Sequence, residues 1–593
     1  MYHSESEGVI LTKKESNIIL FSITLCWASS YIFIKDLPAN LSSYAYLTLT
    51  AGIAGIILLT IFHRALLRLD RTTVFRGMVL AVLIACNMLL EKKGLECIPS
   101  STASFLASLN IMIVPMILLV FRKFPSKNNV AGIFIILGGI LLSNGISITG
   151  SSLTGTLYML GACAMMSLYT VVAAEFTKKS DPLLLSILQI CFSAIIGFFL
   201  WFLEDPATFA NITWSKRMLS SIFILAFFSK AYAYIMLMYA EKYANAISVT
   251  VIASLEPVVT LTLALMIPNM QGQTESFSAR ALVGAVVIAI GAIVAGSDFL
   301  SSKKEVDSDT NSIATPHEEE IAATKTPIQE KKSKVSGRII TFFCQFLLTM
   351  IPFAVLGAAF KVMVLVDGFT EVRPANAIPV VSGLLFGWVG ALGCAVGNLI
   401  ADFFGTMNLT SVLGVVGNFM AAYIPYRMWY IVSKEPPNVH TWKNLLLYVW
   451  VSCLGALSCA WILGFGLELF FGMWIDTIYK YVLLNNFGFS LALGLPTFIL
   501  ITSDSIRISV RIPGRLENPF HLQRKKWMIW PLIAETIFML MIMFGIFNGY
   551  HLGNSMIMCV LSALSLFFLC IICILPTTKG SSIEKKDLDF WGA

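Results

Sequence analysis

Charge is scarce in this chain. Only 13% of its 593 residues are Asp, Glu, Lys or Arg, against roughly a quarter in a soluble domain, and mean hydropathy is +0.80. A water-soluble globular protein is excluded for the chain as a whole. Histidine is scarcer still: His3, His63, His317, His440, His521 and His551 are scattered, and no acid, base or metal cluster converges around them. A membrane enzyme such as a lipid-modifying transferase is therefore disfavoured, and neither metal nor cofactor is expected. No GxxxxGK[ST] phosphate loop occurs, so an ATP-driven step would need separate proteins. The twelve cysteines lie almost all inside apolar runs without the CxxC-plus-His spacing of zinc sites, which makes them small core residues. The net charge of +7 sits in short loops, where membrane topology accounts for it without nucleic acid.

What the chain has in abundance is apolar runs long enough to cross a hydrocarbon core of ~30 Å as helix. Ten fall near 17–35, 42–62, 72–90, 100–121, 129–147, 154–174, 182–203, 217–239, 246–267 and 279–298. Residues 299–336 are charged and aperiodic and read as a disordered linker. Eight further segments follow near 339–366, 376–388, 390–405, 409–432, 444–471, 484–505, 528–548 and 553–575, the second and third short enough for half-spans. The fold class expected is an all-α polytopic membrane protein: a ten-span unit, then a second bundle of about six to eight spans. The domains are a tail at 1–16, the first unit at 17–298, the linker, a second membrane domain at 337–510, and two further spans with a tail at 511–593.

Lysine and arginine in short loops give an orientation. With a cytoplasmic N-terminus, twelve fall in the inside loops of the first unit and five in the outside loops. The same phase places the basic stretch from Arg507 to Lys526 inside. A plasma-membrane protein is expected, with both termini and the linker cytoplasmic and with Glu371 and Arg373 outside.

The first unit repeats internally. A shift of 146 residues lays ASLN (Ala107–Asn110) on ASLE (Ala253–Glu256), and a shift of 152 lays Gly132 on Gly284 and Gly139 on Gly291. The repeats are 17–147 and 154–298. Five spans is an odd number, so the copies are inverted in the membrane, the architecture of many secondary transporters, with the solute site at the repeat interface. The segments LCWASSYIFIK, TASFLASLNIMIVPMILLVFRK and ASLEPVVTLTLAL resemble those of EamA-type permeases in the drug/metabolite transporter superfamily. The resemblance implies a ten-helix carrier of small organic metabolites. It departs from the family in the loop PNMQGQTESFSAR, where Glu275 stands near the usual Gly-Glu pair, and no role is carried onto it.

An ionisable group inside a span is costly and usually faces a cavity or a partner. Lys230 is mid-span, and Glu256 precedes Pro257, which frees a backbone carbonyl. Two readings stand: they line the pathway, binding an anionic group or coupling to protons, or they form a structural ion pair. Trp27, Tyr31, Tyr232 and Tyr234 are candidates for an aromatic wall, or for packing.

In the second half, Asn376 to Gly405 is thirty residues, about 45 Å as one helix at 1.5 Å per residue. A break near Gly387–Gly390 is expected, with the glycines giving a close-packing face. Glu371, Arg373, Asn376, Asn398 and Asp402 remain as candidates for ligand binding, Arg373 and Asp402 either pairing with each other or clamping a polar planar ligand. The stretch EVRPANAIPVVSGLLFG followed by GALGCAVGNLIADFFG resembles the substrate-binding (S) components of energy-coupling-factor importers, the queuosine-precursor group in particular. That resemblance implies ligand capture beneath the Asp367–Ala375 loop, docking of a shared coupling subunit on Ala354 and Ala358, and separate ATPases.

The function expected is transport of a small metabolite by the first half, fused to an S-component-like module for a metabolite or vitamin precursor. The alternative is a single carrier whose distal half senses a ligand. Expected partners are the solute, the bilayer, and a coupling membrane subunit with its ATPases; a homodimer is left open.

Overall fold

The computed structural model describes residues 11–35, 37–38, 41–120, 126–143, 150–204, 212, 214–244, 246–266, 279–296, 327–366, 369–405, 407–433, 435–503 and 526–574. Glu275, Asp367, the terminal tails (1–10 and 575–593) and the basic stretch at 504–525 lie outside them. Among the described residues, thirteen helices are long and apolar enough to cross a membrane. The protein is an all-α polytopic membrane protein apart from one short hairpin.

The first half comprises α1 (Lys13–Lys35), α2 (Ser43–Phe62), α3 (Arg71–Cys97), α4 (Ser100–Ala107), α5 (Asn110–Val120), α6 (Lys127–Ser143), α7 (Gly150–Phe176), α8 (Pro182–Glu204), α9 (Lys216–Tyr243), α10 (Ala246–Ala253), α11 (Glu256–Met266) and α12 (Ala279–Gly296). The expected spans at 100–121 and 246–267 are each broken in two, at the paired ASLN and ASLE segments. Both breaks are closed by the same tight turns. Leu109 N–H donates to Leu106 C=O at 3.2 Å and Met112 to Leu109 at 2.9 Å; in the other copy Leu255 donates to Ile252 and Val258 to Leu255, both at 3.1 Å. Inside α9, residues Leu225–Tyr232 form a π-helical segment, a widening often found at functional positions.

Glycines explain how the two copies meet. α6 packs along α12, and a Cβ on Gly132 would stand 2.6 Å from the Gly291 carbonyl oxygen, while one on Gly139 would stand 2.8 Å from that of Gly284. Backbones this close need residues without side chains.

The second half begins earlier than expected. Residues 327–336, read as disordered linker, are the start of α13 (Pro327–Ala359); Pro suits a first helical turn, and Glu, Lys and Gln are good helix formers. A β-hairpin follows, β1 (Val364–Val366) pairing antiparallel with β2 (Thr370–Glu371). Then come a 3₁₀ turn at Pro374–Ala377, α14 (Ile378–Phe386), α15 (Trp388–Phe403), α16 (Ser411–Val432), α17 (Trp442–Phe471) and α18 (Asp476–Thr502), the last with a π-helical segment at Ser490–Gly494. The expected break falls at Gly387, whose φ of 62° and ψ of −134° suit glycine and few other residues. α15 lies on α13, where Gly393 faces Thr349 and Gly397 faces Phe353. Ala354 is buried in the same helix and Ala358 half-buried.

The last two spans are α19 (Ile529–Phe547) and α20 (Met556–Ile574). They are tied to the second bundle by polar contacts: Trp450 Nε1 donates to Thr536 (3.0 Å), Trp461 Nε1 to Ser562 (3.3 Å), and Arg427 Nε to the Ile572 carbonyl (3.2 Å). At the loop between them, His551 Nδ1 lies 2.5 Å from Glu468 Oε1 and the His551 ring stacks on Trp474.

The halves also pack on each other. Phe228 of the π-segment meets Phe360 edge-on at 5.9 Å, Tyr232 reaches Thr497, and His440 meets Glu15.

Candidate functional site

The first half contains a partly open cavity. α1 supplies Trp27, Ser30 and Tyr31, α3 supplies Asn87 and Glu91, the two broken helices supply Ala107, Asn110, Ala253 and Glu256, and α9 supplies Ser229, Lys230 and Tyr234. Lys230 is 3% exposed and Glu256 7%. Each is held by its surroundings. The Lys230 ammonium lies 5.8 Å from the Tyr46 ring centre and within electrostatic reach of Glu91. The Glu256 carboxyl faces the Tyr31 hydroxyl. Trp27 Nε1 donates to the Ser229 carbonyl at 3.3 Å, and its ring meets Tyr234 at 5.8 Å, so the aromatic wall is fixed to the π-segment that carries Lys230.

Of the six residues singled out in this half, five line the cavity. Tyr232 does not: its hydroxyl lies between Ser22 (3.4 Å) and Thr497 of the second half (3.5 Å). It is two residues from Lys230, which on a helix is the opposite side. An ion pair of Lys230 with Glu256 is one of the two readings above; the carboxylate within electrostatic reach of Lys230 is Glu91. Glu91 escaped the sequence reading because the third span was ended at 90, whereas α3 continues to Cys97. Asn110 had a signal, since it aligns with Glu256 across the repeat.

A second cavity lies in the other half. Its polar lining includes Arg373, Asn376, Asp402, Asn418, Asn485 and Asn486. Arg373 is clamped on three sides: Nε to Glu371 Oε2 (2.7 Å), Nη1 to Asn398 Oδ1 (2.8 Å) and Nη2 to Asp402 Oδ1 (3.1 Å). Its backbone N–H donates to Asn485 Oδ1 (3.2 Å), and Asn485 Nδ2 returns a bond to the Glu371 carbonyl (2.8 Å). Burial alone would lower the Arg373 pKa, but the Glu371 and Asp402 carboxylates raise it above the ordinary guanidinium value. Lys361, not anticipated, completes the network at 2.9 Å from Asp402 Oδ1 and 2.6 Å from Glu371 Oε1, the latter outside hydrogen-bonding angles. Two cations and two carboxylates leave the network formally neutral.

Thus Arg373, Asn376 and Asp402 face the cavity, while Glu371 and Asn398 stand behind Arg373. The Asn376 and Asn418 Oδ1 atoms are buried without a hydrogen-bond partner. Buried polar atoms are normally satisfied, so two orphan acceptors at one cavity are a signal for a donor supplied from elsewhere.

Residues 15–145 and 153–297 each match the model of the EamA-like transporter family. The two matched stretches lie within two residues of the bounds of the repeats read from the sequence. The match ends before the second bundle. No curated protein matches the chain. A solved structure titled "Crystal structure of protein" is 16% identical over 48% of this chain and 96% of its own, with a TM-score of 0.39.

Proposed function

We propose that the first half is a membrane carrier that moves a small organic molecule through the cavity between its two repeats. The observation that carries this is the meeting of the two broken helices, with Asn110 and Glu256 in equivalent places beside Lys230 and its aromatic wall. Paired helix breaks at a repeat interface are where inverted-repeat carriers bind their solute. Lys230 and Glu256 recognise the polar ends of the solute, and Trp27, Tyr31 and Tyr234 hold its body. The orientation follows the loop charges, with both termini cytoplasmic. Mass spectrometry of small molecules retained by the purified chain identifies the solute, and reconstituted vesicles then measure its flux. Flux unaffected by Lys230→Ala would place the pathway elsewhere.

For the second half we infer a separate solute-binding module. Its orphan Asn376 and Asn418 acceptors, in a charge-balanced network, favour a neutral solute bearing N–H donors. Resemblance of the Glu371–Gly405 stretch to importer S components supports this reading and carries with it an external coupling subunit with ATPases. The contacts of Phe228 with Phe360 and of Tyr232 with Thr497 favour the other assignment of the same module, a sensor acting on the carrier. The two separate on what co-purifies with the full chain: a coupling subunit supports import, and its absence together with solute-dependent flux through the first half supports sensing.

A further inference from the structure

Glu241, in the last turn of α9, is used by neither cavity. It is 0% exposed, and both carboxylate oxygens are buried without a hydrogen-bond partner. The other buried carboxyls differ: Glu256 faces Tyr31, Glu535 accepts from Ser565 at 2.8 Å through one oxygen, and Glu15, Glu371 and Asp402 have cationic or histidine partners.

Among the described side chains none hydrogen-bonds to Glu241, and the lysines at the near ends of the neighbouring elements, Lys14, Lys178 and Lys179, are exposed. From α7 comes Tyr169, whose hydroxyl donates to Gln189 Oε1 at 3.1 Å; further along, Glu175 pairs with Lys178. α8 contributes Cys191 and, at its far end, Glu204. α1 runs antiparallel to α9, and near its start Glu15 is occupied by Thr12 and His440. The π-segment contributes Lys230, which faces Glu91. On α9 itself Tyr234 is within electrostatic reach, Tyr239 is the remaining phenol and Lys242 is exposed. Tyr169 and Tyr234 meet edge-on at 6.0 Å, and Tyr234 lines the first cavity. Glu241 is therefore within electrostatic reach of two tyrosines, Tyr169 and Tyr234, the second of which lines the solute chamber.

We infer that Glu241 is the proton-carrying group of the first-half carrier, an inference that rests on the transport reading. An ionised carboxylate stripped of water and partners is prohibitively costly, so Glu241 is neutral as it stands here. Ionisation requires water to reach it, and alternating access provides that in the opposite conformation. Its neighbour Lys242 is already exposed, so a small movement of the α9 end suffices.

The test uses dicyclohexylcarbodiimide, which modifies protonated carboxyls in apolar surroundings, on the purified full chain in lipid nanodiscs, with peptide mass spectrometry to locate the adduct and hydrogen exchange of α7 and α9 at acid and alkaline pH. Expected are an adduct on Glu241 that is lost in alkali, and a pH-dependent exchange difference that disappears in Glu241→Gln. An adduct on Glu256 or Glu535 with none on Glu241 overturns the inference, as does unchanged pH dependence in Glu241→Gln. Should that variant misfold, labelling of the native chain decides alone. Solute flux indifferent to pH would leave the carrier reading intact and remove this one.

Discussion

Gly132 and Gly291 stand backbone against backbone: a Cβ on either would lie within 3.0 Å of the other's carbonyl oxygen. A Cβ on Gly139 would likewise lie 2.8 Å from the Gly284 carbonyl oxygen. Because Gly132 is equivalent to Gly284 and Gly139 to Gly291 in the repeat, the contacts are crosswise, as a two-fold axis between antiparallel helices requires. Gly132→Ala would place its methyl 2.4 Å from the Ala295 Cβ. Overpacking of this kind costs about 1–3 kcal/mol, so a lower melting temperature in detergent is expected. Gly138→Ala, on the same helix with open space, is the control, and equal melting of the two would refute the axis contact.

Lys230→Ala removes the cavity's ammonium while leaving the aromatic wall. A hydrogen bond to a charged group is worth about 1.5–3 kcal/mol, so solute flux should fall by roughly ten- to a hundredfold, with an unchanged elution profile on size exclusion. Lys230→Arg should recover part of it, since the charge is kept on a bulkier fork.

Lys361→Met leaves Glu371 and Asp402 with one cation between them. Breaking a buried ion network from one side costs about 3–5 kcal/mol, so the second bundle should melt early and expose α15 to hydrogen exchange. Asn418→Ala should behave oppositely, leaving melting unchanged and abolishing retention of whatever solute the second cavity holds. Identical melting of Lys361→Met and the parent chain would show the network to be dispensable.

Phe360→Ala empties the contact with Phe228. Truncating a buried phenylalanine costs about 3–5 kcal/mol, and part of that should appear in the other half as faster hydrogen exchange over Leu225–Tyr232. Exchange confined to the second half would mean that the two bundles are mechanically independent.

The repeat was legible because its marks are local: ASLN and ASLE keep their spacing to the glycines that follow, and the same residues are the helix breaks and the axis contacts in three dimensions. Gly387 was legible by length, since thirty residues overrun the bilayer. Glu91 and Lys361 were not. Each lies near the end of an apolar run, where sequence alone does not separate a wet charge from one folded inward. The helical start of α13 was hidden for a related reason: a charged, apolar-poor stretch reads as solvated whether or not it is wound.

What the sequence determined by itself was the solvent of each segment and the doubling of the first five spans, because hydropathy and repetition are properties of the chain in order. Only the tertiary structure decided partners. Lys230 comes within electrostatic reach of a carboxylate 139 positions away, Tyr232 turns from the cavity toward Thr497, and the Glu241 oxygens are left without a hydrogen-bond partner. Such pairings depend on helix rotation and on which helices are neighbours, and those are set by packing across the whole bundle.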